Sequence, residues 1–180
     1  MTLLTTRYAV QILGTPAGKG SMTCKSKHAK GMHQNLQPVN EHELKRWTAL
    51  VKKAGLALPV SGLVGPIGVE LTITVERPRS HYRTGRNAHL LRDDAPVWPV
   101  LVGTGDADKY GRACLDALQR GKPGNPGAGV FIDDAQVVEL VTRKVYPDTP
   151  GVSDRLPRPG CVIRIYPIEA RDALPFSQEG

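Results

Sequence analysis

Thr104-Gly105-Asp106-Ala107-Asp108-Lys109-Tyr110 opens, and Phe131-Ile132-Asp133-Asp134-Ala135-Gln136-Val137-Val138 closes, the stretch that decides the fold. Within 107–120, Tyr110, Ala113, Cys114, Ala117 and Leu118 recur at intervals of three and four, which predicts a helix with one core-facing side. Asp108, Arg112 and Asp116 are spaced by four and line a second, polar side. Residues 121–129, Gly-Lys-Pro-Gly-Asn-Pro-Gly-Ala-Gly, read as a flexible loop. Residues 136–146 are rich in β-branched side chains and predict a strand. One pair of carboxylates thus heads the helix, and a second pair stands at the lip of the strand.

Outward from this stretch the pattern alternates between sheet and helix. Tyr8, Val10 and Ile12 share one face of a strand at 7–13. Residues 17–38 form a basic loop carrying Lys19 and Lys25, and its Gly18-Lys19-Gly20 piece fails as a phosphate-binding P-loop because no Ser or Thr follows the lysine. Asn40 with Glu43 three positions on predicts a capped helix start. Leu44, Trp47, Leu50, Val51 and Ala54 then share a face, and Gly55 marks the expected stop. Ile67, Val69, Leu71, Ile73 and Val75 alternate with Glu70, Thr72, Thr74 and Glu76, the pattern of a strand with one buried and one polar face. Arg77 to Arg86 holds four arginines, a His and a Tyr, a mixture suited to phosphate contact and base stacking through Arg79, Arg83 and Arg86. His81 and His89 read as ordinary loop histidines. The segment to Val102 is an ordered loop or lid. Cys161–Ile168 is a last strand. The order is β-α-β-α-β-β, an α/β (α+β) domain with a mixed sheet.

The bulk numbers agree. At 180 residues one domain is expected, taken as 1–170 with a polar tail at 171–180. A net charge of +7 favours an anionic partner, nucleic acid first. Cys24, Cys114 and Cys161 are odd in number and far apart, which predicts free thiols in a reducing compartment. The N-terminus lacks the charge and apolar run of a signal peptide, and the longest uncharged run, Ala54–Val69, is broken by Pro59 and Pro66. A cytoplasmic protein without a membrane span is the expectation.

Four carboxylates clustered in a basic chain repel one another unless a cation joins them. If helix and strand pack so that Asp106, Asp108, Asp133 and Asp134 converge, they form an oxygen site for Mg²⁺, with Mn²⁺ as a substitute. Such a site polarises a phosphodiester and activates water. Arg112, one turn beyond Asp108, would face the same phosphate. A calcium loop fails, because Tyr110 and Ala117 occupy its fifth and twelfth positions. Helix N-capping and a surface ion-pair network of Asp108, Arg112 and Asp116 stay open as alternatives.

The run Asp106-Ala-Asp108-Lys-Tyr-Gly-Arg112-Ala-Cys-Leu-Asp116-Ala-Leu118, followed by Phe-Ile-Asp133-Asp134-Ala-Gln-Val-Val138, resembles the signature of RusA-type Holliday junction resolvases. Lys109 stands where that family commonly has Asn, and Arg112 where it commonly has Lys. The resemblance implies a Mg²⁺-dependent endodeoxyribonuclease acting on four-way junctions as a homodimer, in a bacterial or phage-infected cell. It implies catalytic roles for Asp106, Asp108 and Asp134, with Asp133 beside them. Lys19, Lys25, Arg79, Arg83, Arg86 and Lys109 are the candidate DNA contacts, and no small-molecule cofactor is expected. The alternatives are cleavage of a flap, a fork or a packaging intermediate, and a catalytically weakened DNA-binding module.

Overall fold

Ile67, Val69, Leu71 and Ile73 are each at most 1% exposed, and the sheet is built around the strand they form. In the computed structural model, which describes residues 7–20, 22–24, 36–38 and 40–168, that strand is β4 (Ile67–Thr74). Before it come β1 (Tyr8–Leu13), β2 (Met22–Cys24), β3 (Leu36–Pro38) and α1 (Glu41–Leu56). After it come α2 (Ala107–Leu118), β5 (Gly121–Lys122), β6 (Asn125–Pro126), β7 (Val137–Val145) and β8 (Gly160–Pro167). The large elements follow the expected β-α-β-α-β-β order, and two small hairpins are added to it. The main sheet runs β1-β8-β4-β7. β4 pairs parallel with β7 and antiparallel with β8, so the sheet is mixed as expected. The register places Val69, Leu71 and Ile73 beside Leu140, Thr142 and Lys144 on one face. α2 lies on that face, and Gly111 permits the approach: a Cβ there would sit 3.1 Å from Thr142 Oγ1.

The expected open polar face of β4 is instead largely covered. Thr72 and Thr74 are buried. The Tyr166 ring lies over Gly68, where a Cβ would approach it to 2.3 Å. The backbone N–H of Leu156 donates to Thr74 Oγ1 at 2.9 Å, so the turn-rich 147–159 segment closes this side. Alternation marked the strand correctly, but side-chain polarity misled because the covering segment supplies hydrogen-bond partners.

α1 buries Trp47 and Val51 completely, while Leu50 stays 38% exposed against Gly14. Its expected cap is not made: the Asn40 amide donates to Gly18 O at 3.1 Å and leaves the helix end uncapped by a side chain. Gly55 does not end α1 either. It lies within the helix, where a Cβ would meet Ala128 at 2.7 Å and Leu118 at 3.0 Å, so its role is close packing.

The 17–38 segment was expected to be loop throughout; β2 and β3 pair antiparallel within it. Lys25 and the 171–180 tail lie outside the described residues. The presumed flexible stretch 121–129 is the β5–β6 hairpin, turning at Pro123-Gly124 with Gly124 at φ +86°. Beyond it the chain is pinned to the end of α2, since Ala128 N–H donates to Ala117 O and Val130 N–H to Leu118 O. Cys114 and Cys161 are buried free thiols, as expected of those two. No helix among the described residues is long and apolar enough to cross a membrane.

Candidate active site

The approach to α2 is a turn held from two sides. Gly105 adopts φ +72°, a conformation that strains any residue with a Cβ. From α2, Tyr110 Oη donates to Thr104 O at 2.9 Å, and a Cβ on Gly105 would stand 2.7 Å from that same hydroxyl. From β7, Lys144 Nζ donates to Gly105 O and to Thr104 Oγ1. Burial pushes the Tyr110 phenol up, and the nearby Asp106 charge adds to the shift.

This turn delivers Asp106 and Asp108 to the head of α2, both exposed. Asp106 occupies the capping position but makes no capping hydrogen bond. Its carboxylate instead meets Lys109 Nζ at 2.6 Å. The hydrogen bond from Lys109 holds the Asp106 carboxyl below the usual carboxylate range; the Lys109 charge and the more distant Lys144 charge act in the same direction. Asp106 is therefore ionised throughout the neutral range.

The second pair is organised differently. Asp133 Oδ1 accepts from the backbone of Ala135 at 2.9 Å, capping the short 3-10 turn Asp134–Gln136. Gln136 completes a reciprocal box: its Oε1 accepts from the backbone N–H groups of Ile132 and Asp133. The Gln136 amide also donates to Leu63 O and Gly65 O, both at 3.0 Å, which fastens the turn to the segment before β4. The capping role considered for the first pair thus belongs to Asp133. Asp134 is exposed, and its carboxylate has no hydrogen bond or ion pair among the described residues.

The two pairs do not converge within one chain. β4, α2 and β7 form a parallel β-α-β unit, so α2 runs opposite to the strands. Lys144, near the end of β7, meets the start of α2. Phe131, ahead of β7, bridges to Gln119 at the end of α2. The intervening helix separates the pairs by roughly 20 Å. Among the described residues no group of three or more His, Cys, Asp or Glu side chains is gathered to hold a metal. The oxygen donors at Asp106 and Asp108 still fit a hard cation, because Mg²⁺ is commonly held by one or two carboxylates beside a substrate phosphate.

Arg112 is exposed on the same side of α2 as Asp108, and its side chain has no ion pair or hydrogen bond among the described residues. Of the other candidate DNA contacts, Arg79 and Arg86 are exposed with side chains free of such partners. Arg83 is paired with Asp93 at 2.7 Å on the surface. Lys19 is paired with Asp116 at 2.7 Å, and Lys109 with Asp106. Arg77, read with this basic run, turns inward: it stacks 4.0 Å over Tyr146 and bonds Asp148 and Pro96 O. His81 is buried edge-on to Tyr146 and lies 3.3 Å from the Arg77 guanidinium. A groove of about 420 Å³ between α1 and β6 contains neither acidic pair.

Sequence reading missed Lys144. The available signal was its phase: it follows Leu140 and Thr142 on the strand face turned towards α2, an unusual place for a lysine.

A family model described as Endodeoxyribonuclease RusA matches residues 15–154, a span that contains both acidic pairs. No curated protein matches the chain.

Proposed function

We propose that this chain, which belongs to the RusA endodeoxyribonuclease family and is therefore a hydrolase acting on DNA, resolves four-way junctions as a Mg²⁺-dependent homodimer. The observation that carries the reading is the exposed, ionised Asp106 with Asp108 at the head of α2, inside the span matched by the family.

Asp106 and Asp108 would hold the cation, which when bound neutralises the scissile phosphate and acidifies water. The chain's own residues then bind and orient. Arg112 presents a cationic fork to a phosphate oxygen, and since arginine stays protonated, it serves by charge and hydrogen bonding rather than by proton transfer. Arg79 and Arg86 offer unpaired charge to the backbone beyond the cut. Lys109 both restrains Asp106 and adds positive charge at the site.

The separation of the acidic pairs supports a dimer in a specific form. β7 is an edge strand of the sheet; Val138 is 64% exposed, and Leu140, on its α2 side, is 43% exposed. An unprotected apolar edge is a template for pairing. A two-fold axis at the middle of β7 reverses the strand and brings the partner's Asp134 towards Asp106 and Asp108. The same axis relates two cuts in strands of like polarity.

Incubation with a four-way junction, a flap and a linear duplex, each in Mg²⁺ and in EDTA, tests the reading. Symmetric nicks in the junction alone, abolished by EDTA, are expected. Equal cutting of all three would remove the junction assignment. One observation favours a second reading: the 2.6 Å Lys109–Asp106 pair places an internal cation on a proposed metal ligand, as in a catalytically weakened DNA-binding module. Junction binding without cutting in either Mg²⁺ or Mn²⁺ would select that reading.

A further inference from the structure

We infer that Lys144 is a positioning residue for the acidic pair at the head of α2: it holds the Thr104-Gly105 turn and thereby fixes where Asp106 points. Within the proposed nuclease site, on whose reading this inference rests, Lys144 is the side chain of the edge strand that hydrogen-bonds the turn before Asp106.

The geometry is specific. Lys144 is half-buried and projects from β7 on the face where Leu140 and Thr142 lie against Gly111 of α2. An ammonium has three donors. One goes to Gly105 O and one to Thr104 Oγ1, the latter at 3.2 Å. The Thr104 hydroxyl is in turn engaged by Pro99 O at 3.0 Å and Leu101 O at 2.6 Å, so Lys144 reaches into a network that also anchors the preceding loop. Gly105 is the left-handed residue directly before Asp106, and a residue so unrestrained by side-chain bulk needs external contacts to keep one conformation. Tyr110 supplies one contact from within α2. Lys144 supplies the contact from the sheet. A solvated surface lysine would point away from both carbonyl and hydroxyl.

The test uses the full chain with Lys144→Met, which keeps an unbranched apolar stem, and Lys144→Arg, which keeps the charge. Three measurements are made: amide hydrogen exchange over 103–110, Mn²⁺ affinity of the DNA-free protein by electron paramagnetic resonance, and junction binding in EDTA. Lys144→Met is expected to speed exchange over 103–110 while β8 stays protected. It should also weaken Mn²⁺ binding on the order of tenfold, the scale of lost support around a metal ligand. Junction binding in EDTA should persist, and Lys144→Arg should recover most of the Mn²⁺ affinity. Unchanged exchange and Mn²⁺ affinity in Lys144→Met would overturn the inference. So would faster exchange spread evenly over α1 and β8, which would mark general destabilisation. If the unaltered protein cuts no DNA, the nuclease reading fails, yet the exchange comparison still decides the role of Lys144.

Discussion

Asp106 stands 2.6 Å from one ammonium and feels a second, whereas Asp133 turns its carboxylate onto its own backbone and Asp134 meets no cation among the described residues. The first pair is placed by tertiary contacts, since Tyr110, Lys144 and Gly105 come from a helix, a strand and a turn. The second is placed largely by its own next three residues, with Gln136 as the tie to the rest of the fold. Neighbouring identical side chains therefore need not share a role. In Asp133-Asp134 one residue builds the turn and the other is left open to a ligand.

That division is easiest to break with isosteric changes. Asp106→Asn and Asp108→Asn should each lower junction cleavage on the order of 10³-fold while preserving binding in EDTA. Asp134→Asn should match them. Asp133→Asn should retain cleavage within about tenfold, because asparagine caps almost as well as aspartate. Equal losses at Asp133 and Asp134 would abolish the distinction. Mixing comes next. Asp106→Asn and Asp134→Asn chains, each inactive alone, should regain single-strand nicking when combined, because a mixed dimer contains one intact composite site. Continued inactivity of a mixture proven to contain mixed dimers would return the two pairs to separate sites.

Stability effects are smaller. Gln136→Ala removes hydrogen bonds to four backbone groups and should cost about 2 kcal/mol, measured by urea unfolding. Gly105→Ala should cost about 1–2 kcal/mol from the left-handed backbone, with a further loss as the Tyr110 hydroxyl is displaced. The smallest change is electrostatic. Because Asp106 titrates below its unfolded value, its stabilising contribution is present above the ordinary carboxylate range and is lost as pH falls through the lower folded value. Lys109→Met should move the Asp106 titration up towards the ordinary range, read by carbon NMR of the carboxyl. No upward movement would mean that Lys109 does not set the charge state.

Much of this is legible in the sequence. The spacing of Tyr110, Ala113, Cys114, Ala117 and Leu118 gave α2, and every one of these side chains is buried. The alternation from Ile67 gave the central strand. What spacing could not supply was direction. Sequence shows a helix followed by a strand, but the separation of Asp106 from Asp134 depends on β7 running parallel to β4, a long-range pairing. Once that pairing is known, an opposed helix follows from connecting two parallel strands. The Gln136 clamp was illegible for a related reason, because its acceptors Leu63 and Gly65 lie more than seventy residues away. The 121–129 hairpin was hidden by composition: its glycines suggested freedom, while Gly121 and Gly127 are glycines because backbone atoms pack directly against them.

The position of β8 between β1 and β4 fixes an order of events during synthesis. Among the described residues β1 pairs only with β8 in the main sheet, so it waits until residues 160–167 have been made. A turn that needs Lys144 cannot close around Asp106 until β7 has emerged, and β4 remains open along one edge until Gly160–Pro167 follows. At a synthesis rate of about 5–20 residues per second, a ribosome-bound chain spends seconds with its acidic residues present but unaimed. With this strand order β1 and β4 acquire their shared neighbour only once residues 160–167 have been made, so fragments that stop before β8 carry the acidic residues on an open sheet.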